Sequence, residues 1–151
     1  MRWLRQKRDG TTMVECAVIY PAVFLLILGL MIGALGIFRY QEVATLAREG
    51  ARYAVVHGTQ YAQDAGVSAP TPSDIYNNAI ANRAVALDLT RLSYSITYNV
   101  SNQPFHTTID SNQNIIPIQN TVTVTLTYQW VPEAFLGGIT LSSTSVMPMS
   151  Y

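Results

Sequence analysis

Three patterns in the chain predict an α+β fold, a long N-terminal transmembrane and amphipathic helix packed on an antiparallel sheet of three or more strands, with one additional helix. Residues 16–38 contain no charged side chain, 23 positions in succession. Residues 39–56 then repeat apolar and small side chains at helical spacing. From about residue 92 the period changes to two, in SYSITYNV (93–100) and TVTVTLTYQW (121–130). The division this predicts is a basic leader (1–10), a helix (11–56) and an extracytoplasmic α+β domain (57–151).

The leader and the run behind it set the topology. Arg2, Arg5, Lys7 and Arg8 are opposed only by Asp9, and the positive-inside rule holds such a segment on the cytoplasmic side. Arg39, Arg48 and Arg52 follow the run, so the bias is modest in size. A bilayer core about 30 Å thick needs roughly 20 helical residues. Only a closed helix satisfies its own backbone in lipid, so the run reads as a single span. A cleavable secretory signal has a shorter apolar region, about 7–15 residues. The small-x-small triplet at Ala34 to Gly36 also comes late.

Residues 11–151 carry five basic and eight acidic side chains, a net of −3, which leaves no basic surface for nucleic acid. Cys16 is the one cysteine and lies in the apolar run, so an internal disulfide is ruled out.

Gly10 ends the leader, and Glu15 intrudes five positions later at the start of the apolar helix. A carboxylate in a membrane helix costs up to about 2.5–3.5 kcal/mol at mid-bilayer, less near the surface, so Glu15 is a functional candidate by default. Thr12 and Glu15 also have capping-box spacing. The two roles are compatible. Further along, Pro21 removes one backbone hydrogen bond. Gly29 and Gly33 form a GxxxG pattern continued by Gly36. These glycines suit close helix approach, although glycine is also commoner in membrane helices generally.

Past the run, Tyr40, Val43, Ala44, Ala47, Ala51, Ala54 and Val55 make one stripe, with Arg39, Gln41, Glu42, Thr45, Arg48, Glu49 and Arg52 opposite. That is the pattern of a helix lying on a packed domain. Arg48, Glu49 and Arg52 form either a solvated face or an assembly contact. A helix over residues 11–56 would be roughly 70 Å long at 1.5 Å per residue.

His57 and Gly58 end this helix, and a loop is expected to about Pro70. TPSD (71–74) predicts a new start, with threonine as N-cap, proline at N1 and an acid at N3. Ile75, Tyr76, Ala79, Ile80, Ala86 and Leu87 supply its apolar face, with an end expected near Leu89. In the first strand Tyr94, Ile96, Tyr98 and Val100 share a face; in the second Val122, Val124, Leu126, Tyr128 and Trp130 point inward. A third strand is expected over residues 139–147. The connection over residues 101–120 is long for a hairpin.

No residue pattern supports catalysis or a cofactor. His57 lies at a helix end and His106 in a loop; His106 and Asp110 are four apart, but in a segment with no helical pattern, and no cysteine is near either histidine. Phosphate-binding glycine loops, nucleophile elbows and paired acids are missing from the sequence. The polar, sparsely charged outer segment, rich in Thr, Ser, Asn and Gln, suits contact with other subunits or surfaces.

The leader, Gly10, Glu15 and the apolar helix together resemble the class III signal of type IV pilins. TTMVECAVIYP (11–21), the apolar run and AREGARYA (47–54) narrow this, being similar to the TadE-like family of pseudopilins, minor components associated with tight-adherence (Tad/Flp) pilus systems. The similarity covers about residues 8–54. Many family members place tyrosine or phenylalanine after the glutamate, where this chain has Cys16.

The resemblance implies a non-enzymatic subunit held in the bacterial inner membrane by one span, its C-terminal domain periplasmic or extracellular. It implies cleavage by a prepilin peptidase between Gly10 and Thr11, and partners among pilin subunits and the Tad assembly machinery. It also implies that Glu15 pairs with the N-terminal amine of a neighbouring subunit. Such a buried pair fixes register more than it adds stability, because desolvation offsets most of its attraction. The alternative is an uncleaved single-pass envelope anchor carrying a binding or scaffold domain outside any pilus.

Overall fold

The computed structural model describes residues 9–99, 107–109, 111, 115–117, 120–132 and 137–149. The expected α+β architecture is present. Helix α1 (Asp9–Val56) is followed by α2 (Thr59–Ala65), α3 (Pro72–Ile75) and strands β1 (Leu92–Asn99), β2 (Thr107–Ile109), β3 (Ile115–Pro117), β4 (Thr121–Trp130) and β5 (Ile139–Pro148). The chain divides between Gly36 and Ile37 into two compact units.

In the first unit α1 is already helical at Asp9 and continues through Pro21. Thr12 therefore lies inside the helix and not at the N-cap position expected of it. None of the side chains from Thr12 to Gly36 is buried. This is the one helix among the described residues long and apolar enough to cross a membrane. Side chains this apolar and this uncovered need a non-aqueous surrounding. The basic leader, residues 1–8, lies outside the described residues.

The second unit is built on a three-stranded antiparallel sheet in the order β1-β4-β5. Strand β4 is central, and every second residue, Val122, Val124, Leu126 and Tyr128, is buried. Residues 37–56 of α1 bring Val43, Leu46, Ala47, Ala51 and Ala54 to the same core. Leu46 belongs to this face although the sequence pattern omitted it, while Tyr40 stays exposed. At Gly50 an added Cβ would lie 3.0 Å from Ile80 Cδ1 and 3.4 Å from Val124 Cγ1. The helix approaches the core closely there because it has no side chain.

Strand β1 keeps the expected phase but is only partly covered. Leu92 is buried, Ile96 half-buried, and Tyr94 and Tyr98 remain exposed. Among the described residues β1 is an edge strand with one neighbour, and Tyr94 stacks on Tyr76 with ring centroids 4.4 Å apart. Val100, expected on the same face, lies outside the described residues. Trp130, expected inward, is half-buried at the end of β4. The third strand begins at Ile139 as expected and runs to Pro148, its register pairing Thr125 with Thr144 and Trp130 with Ile139.

Three local expectations are corrected. The predicted loop after Gly58 contains α2, which ends in a Schellman motif. Gly66 adopts φ 67° and the Val67 amide donates to Ala62 O at 2.9 Å. The helix starting at Thr71 does not reach Leu89. It passes from α3 into a π turn (Tyr76–Ile80) and a 3-10 turn (Ala81–Arg83), then leaves helical geometry at Ala84. The amides beyond that point find tertiary acceptors instead: Ala86 donates to Glu42 Oε1 at 2.9 Å and Asp88 to Tyr128 Oη at 3.4 Å. The long connection after β1 also contains a short antiparallel pair, β2 with β3, which aligns Thr108 with Ile116. His106 and Asp110 lie outside the described residues.

Candidate functional site

The residues singled out in the sequence fall in both units. In the first, Gly10 and Thr11 lie within α1 and Glu15 is solvent-exposed one turn further on. Cys16 is half-buried. Glu15, Ala22, Gly29 and Gly36 recur at intervals of seven residues, with Gly33 on the turn between the last two. At 3.6 residues per turn, all five fall within an arc of about 60° on the helix. A Cβ added at Gly29 or Gly33 would meet nothing within 4 Å, so neither glycine is needed for contacts within the chain. α1 thus carries one acid and a row of small residues on one uncovered face. A second helix can approach closely along such a face.

In the second unit the charged cluster is partly engaged. Glu49 Oε2 lies 2.7 Å from Arg83 Nη1, with 31% and 57% of the two side chains exposed. A pair this exposed contributes little, of order 0.2–1 kcal/mol. Its structural role is to tie the 3-10 turn to α1. Arg48 donates to Ala44 O and to Thr45 Oγ1 on its own helix, and Arg52 points to solvent.

Two acidic residues that the sequence did not single out hold the connections beside α1. Glu42, assigned to the solvent side by the pattern, is half-buried and receives the Ala86 amide; its Oε2 is buried without a partner among the described residues. Its spacing gave a signal: Glu42, Leu46 and Glu49 follow one another at four and three residues, along the flank of the buried stripe. Asp88 receives both the backbone amide and the hydroxyl of Thr90, at 3.0 and 2.7 Å. These bonds from Thr90 hold its carboxyl below the usual carboxylate range. The Thr71 cap is as predicted: Asp74 Oδ2 accepts from the Thr71 hydroxyl and amide, while the Asp74 amide donates to Thr71 Oγ1. Those bonds likewise lower the Asp74 pKa.

A cleft of about 370 Å³ opens beside the first turn of the second unit, lined by Arg39, Val85, Asp88, Arg91, Tyr128 and Val131 among others. Arg91 Nε lies 3.5 Å from Asp88 Oδ2, whereas Arg39 forms no ion pair with a described residue. At the other end of this part of α1, His57 stacks on Tyr53, with centroids 4.0 Å apart, and meets Tyr61 edge-on. The ring is packed between aromatics, with Nδ1 at 3.1 Å from Tyr53 O. Among the described residues no group of three or more His, Cys, Asp or Glu is placed to hold a metal ion.

Residues 10–52 match the family model described as TadE-like protein. The matched segment covers the Gly10 junction, Glu15, the three glycines and the start of the face that packs on the sheet. No curated protein and no solved structure matches the chain.

Proposed function

We propose that this chain is a non-enzymatic minor pilin or pseudopilin, a membrane-anchored subunit of a Tad/Flp-type pilus or a related secretion assembly. The observation that carries this reading is a coincidence within one segment. The TadE-like match over residues 10–52 falls on a helix whose apolar portion is uncovered along its length and bears Glu15 near its start. A bare apolar helix is what a subunit needs to wait in a bilayer and later to pack against its neighbours.

In this reading a prepilin peptidase cleaves between Gly10 and Thr11 on the cytoplasmic face. Glu15 becomes the fifth residue and pairs with the new amine of a neighbouring subunit. Gly29, Gly33 and Gly36 form the packing face, and Arg48 and Arg52 offer polar contacts beyond the inner membrane. Glu49 contributes there chiefly by holding Arg83. The outer domain, in the periplasm or outside the cell, presents its hydroxyl-rich sheet face to other subunits of the assembly.

One observation favours the second reading, an uncleaved envelope anchor with a scaffold domain. Gly10 and Thr11 are already in helical conformation, and a peptidase must open that turn before it can cut. The intact mass and N-terminal residue of the protein from its native membranes separate the two. A chain beginning at Thr11 is expected. A chain still beginning at Met1 would remove the pseudopilin reading in favour of the anchor.

A further inference from the structure

The second unit begins with the last two residues of the apolar run, Ile37 and Phe38, both well exposed, and Arg39 follows directly. One residue of helix is about 1.5 Å, so wherever the run leaves hydrocarbon, Arg39 stands at the headgroup level. Arg39 is also a wall of the cleft described above, which lies wholly within the second unit.

The residues there have the composition of a membrane-facing edge. Val85 projects from the connection after the 3-10 turn with 92% of its surface exposed, and Val131 at the end of β4 is half exposed. Leu89 and Ile139 add exposed apolar surface; the latter is the Cα partner of Trp130. Polar groups lie between these apolar tips. Arg39 is free of ion pairs with described residues, and Arg91 is held at one nitrogen by Asp88 while 47% of its side chain stays exposed. Exposed apolar side chains and guanidinium groups on one cleft, with half-buried Trp130 beside them, match the layering of a bilayer surface. Side chains of that kind enter the acyl boundary while arginine contacts phosphate oxygens.

We infer that this end of the domain is a lipid-docking surface, with Val85 and Val131 entering the headgroup boundary and Arg39 and Arg91 contacting phospholipid phosphates. The inference rests on the membrane-anchor part of the proposed function and adds a posture: before assembly, the domain leans on the bilayer instead of swinging above it. A lipid surface is favoured over a second copy of the chain because the anchor already brings it within reach, without recruiting a partner.

The test is site-directed spin labelling of the full chain in nanodiscs of equal parts phosphatidylethanolamine and phosphatidylglycerol, in a Cys16→Ser background. Labels are placed singly through Val85→Cys, Val131→Cys, Val146→Cys and Leu26→Cys, and their accessibility to oxygen and to a water-soluble nickel chelate is compared. Val146 is the control, an exposed apolar residue seven positions along β5 from Ile139, or about 23 Å at strand rise.

The expected result is a severalfold higher oxygen-to-nickel ratio at Val85 and Val131 than at Val146. That contrast should shrink in the Arg39→Gln, Arg91→Gln double variant and be retained with lysine at both positions. Circular dichroism checks that each variant is folded. If Val85 and Val131 are as aqueous as Val146 while Leu26 is immersed, the docking inference is wrong and the anchor stands. Loss of access to both reagents at Val85 would mean protein contact, and would also overturn it. A contrast indifferent to the glutamine substitutions would remove the phosphate contacts. If Leu26 itself is aqueous, the anchor reading has failed first.

Discussion

The Ala86 amide donates to Glu42 Oε1 at 2.9 Å across 44 residues of sequence, just after the chain leaves helical geometry at Ala84. Removing the carboxylate leaves that amide without its acceptor in a half-buried site. Hydrogen bonds to charged groups contribute about 1.5–3 kcal/mol. Glu42→Ala should therefore destabilise the domain by about 1–2 kcal/mol, and Glu42→Gln, which keeps an acceptor, by less. Denaturant unfolding in detergent measures both. Equal losses would show that the bond to Ala86 is not what matters at this position.

Gly50 lies against Ile80 in the core: a methyl group added to Gly50 would meet Ile80 Cδ1 at 3.0 Å. Ile80 is fully buried and has little room to yield. Alanine gains about 0.8–1.0 kcal/mol of helix propensity, against an overpacking cost of about 1–3 kcal/mol. Gly50→Ala should accordingly lose about 1 kcal/mol net. In an Ile80→Val background, which removes the Cδ1 methyl, most of that loss should vanish. A double-mutant cycle reads the coupling, and additive losses would contradict the packing account.

The capping box of Thr71 and Asp74, together with the Asp88 turn, predicts an acid dependence. Both carboxyls have folded-state pKa values below their ordinary range, through hydrogen bonds from Thr71 and Thr90 respectively. A depressed carboxylate stabilises the fold above its unfolded value, near about pH 4, and loses that contribution as pH falls through the folded value. The melting temperature of the native chain should thus drop more steeply below about pH 4 than that of an Asp74→Asn, Asp88→Asn variant. Parallel curves would refute the assignment.

Glu15 offers a test of assembly that leaves the domain untouched, since it stands exposed on α1 outside the sheet-bearing unit. Under the proposed function, Glu15→Ala should still lose its leader and fold normally. It should co-purify with a second tagged copy at least about tenfold less, the equivalent of about 1.4 kcal/mol. Glu15→Asp should recover part of the association. Unchanged co-purification of the alanine variant would mean that no intersubunit pair depends on this carboxylate.

Much of the architecture was legible in the chain because its signals are periodic and local. The Thr71 cap was readable to the residue, since proline at N1 and an acid at N3 leave few other arrangements. The alternation in β4 was readable because both its neighbours hold it in register. The edge position of β1 was not, as alternation is the same whether or not a face is covered. Short α2 was hidden among small residues, although Gly66 at its end was the sign to look for. Leu46 flanks the line of small residues, so the buried face is wider than the stripe of alanines alone indicates. The candidate site was legible where it is linear: Glu15 and the glycines follow from one helical repeat.

By itself, then, the sequence determined the apolar helix and the change from helical to alternating period, because each depends only on neighbours along the chain. Tertiary structure alone decided that the helical turns after Thr71 stop at Arg83, that Glu42 and Glu49 bind across the fold and that Arg39 shares a cleft with Val85 and Val131. In each case the deciding partner lies far along the chain. A hydrogen bond or a packed methyl at that separation leaves no period in the sequence.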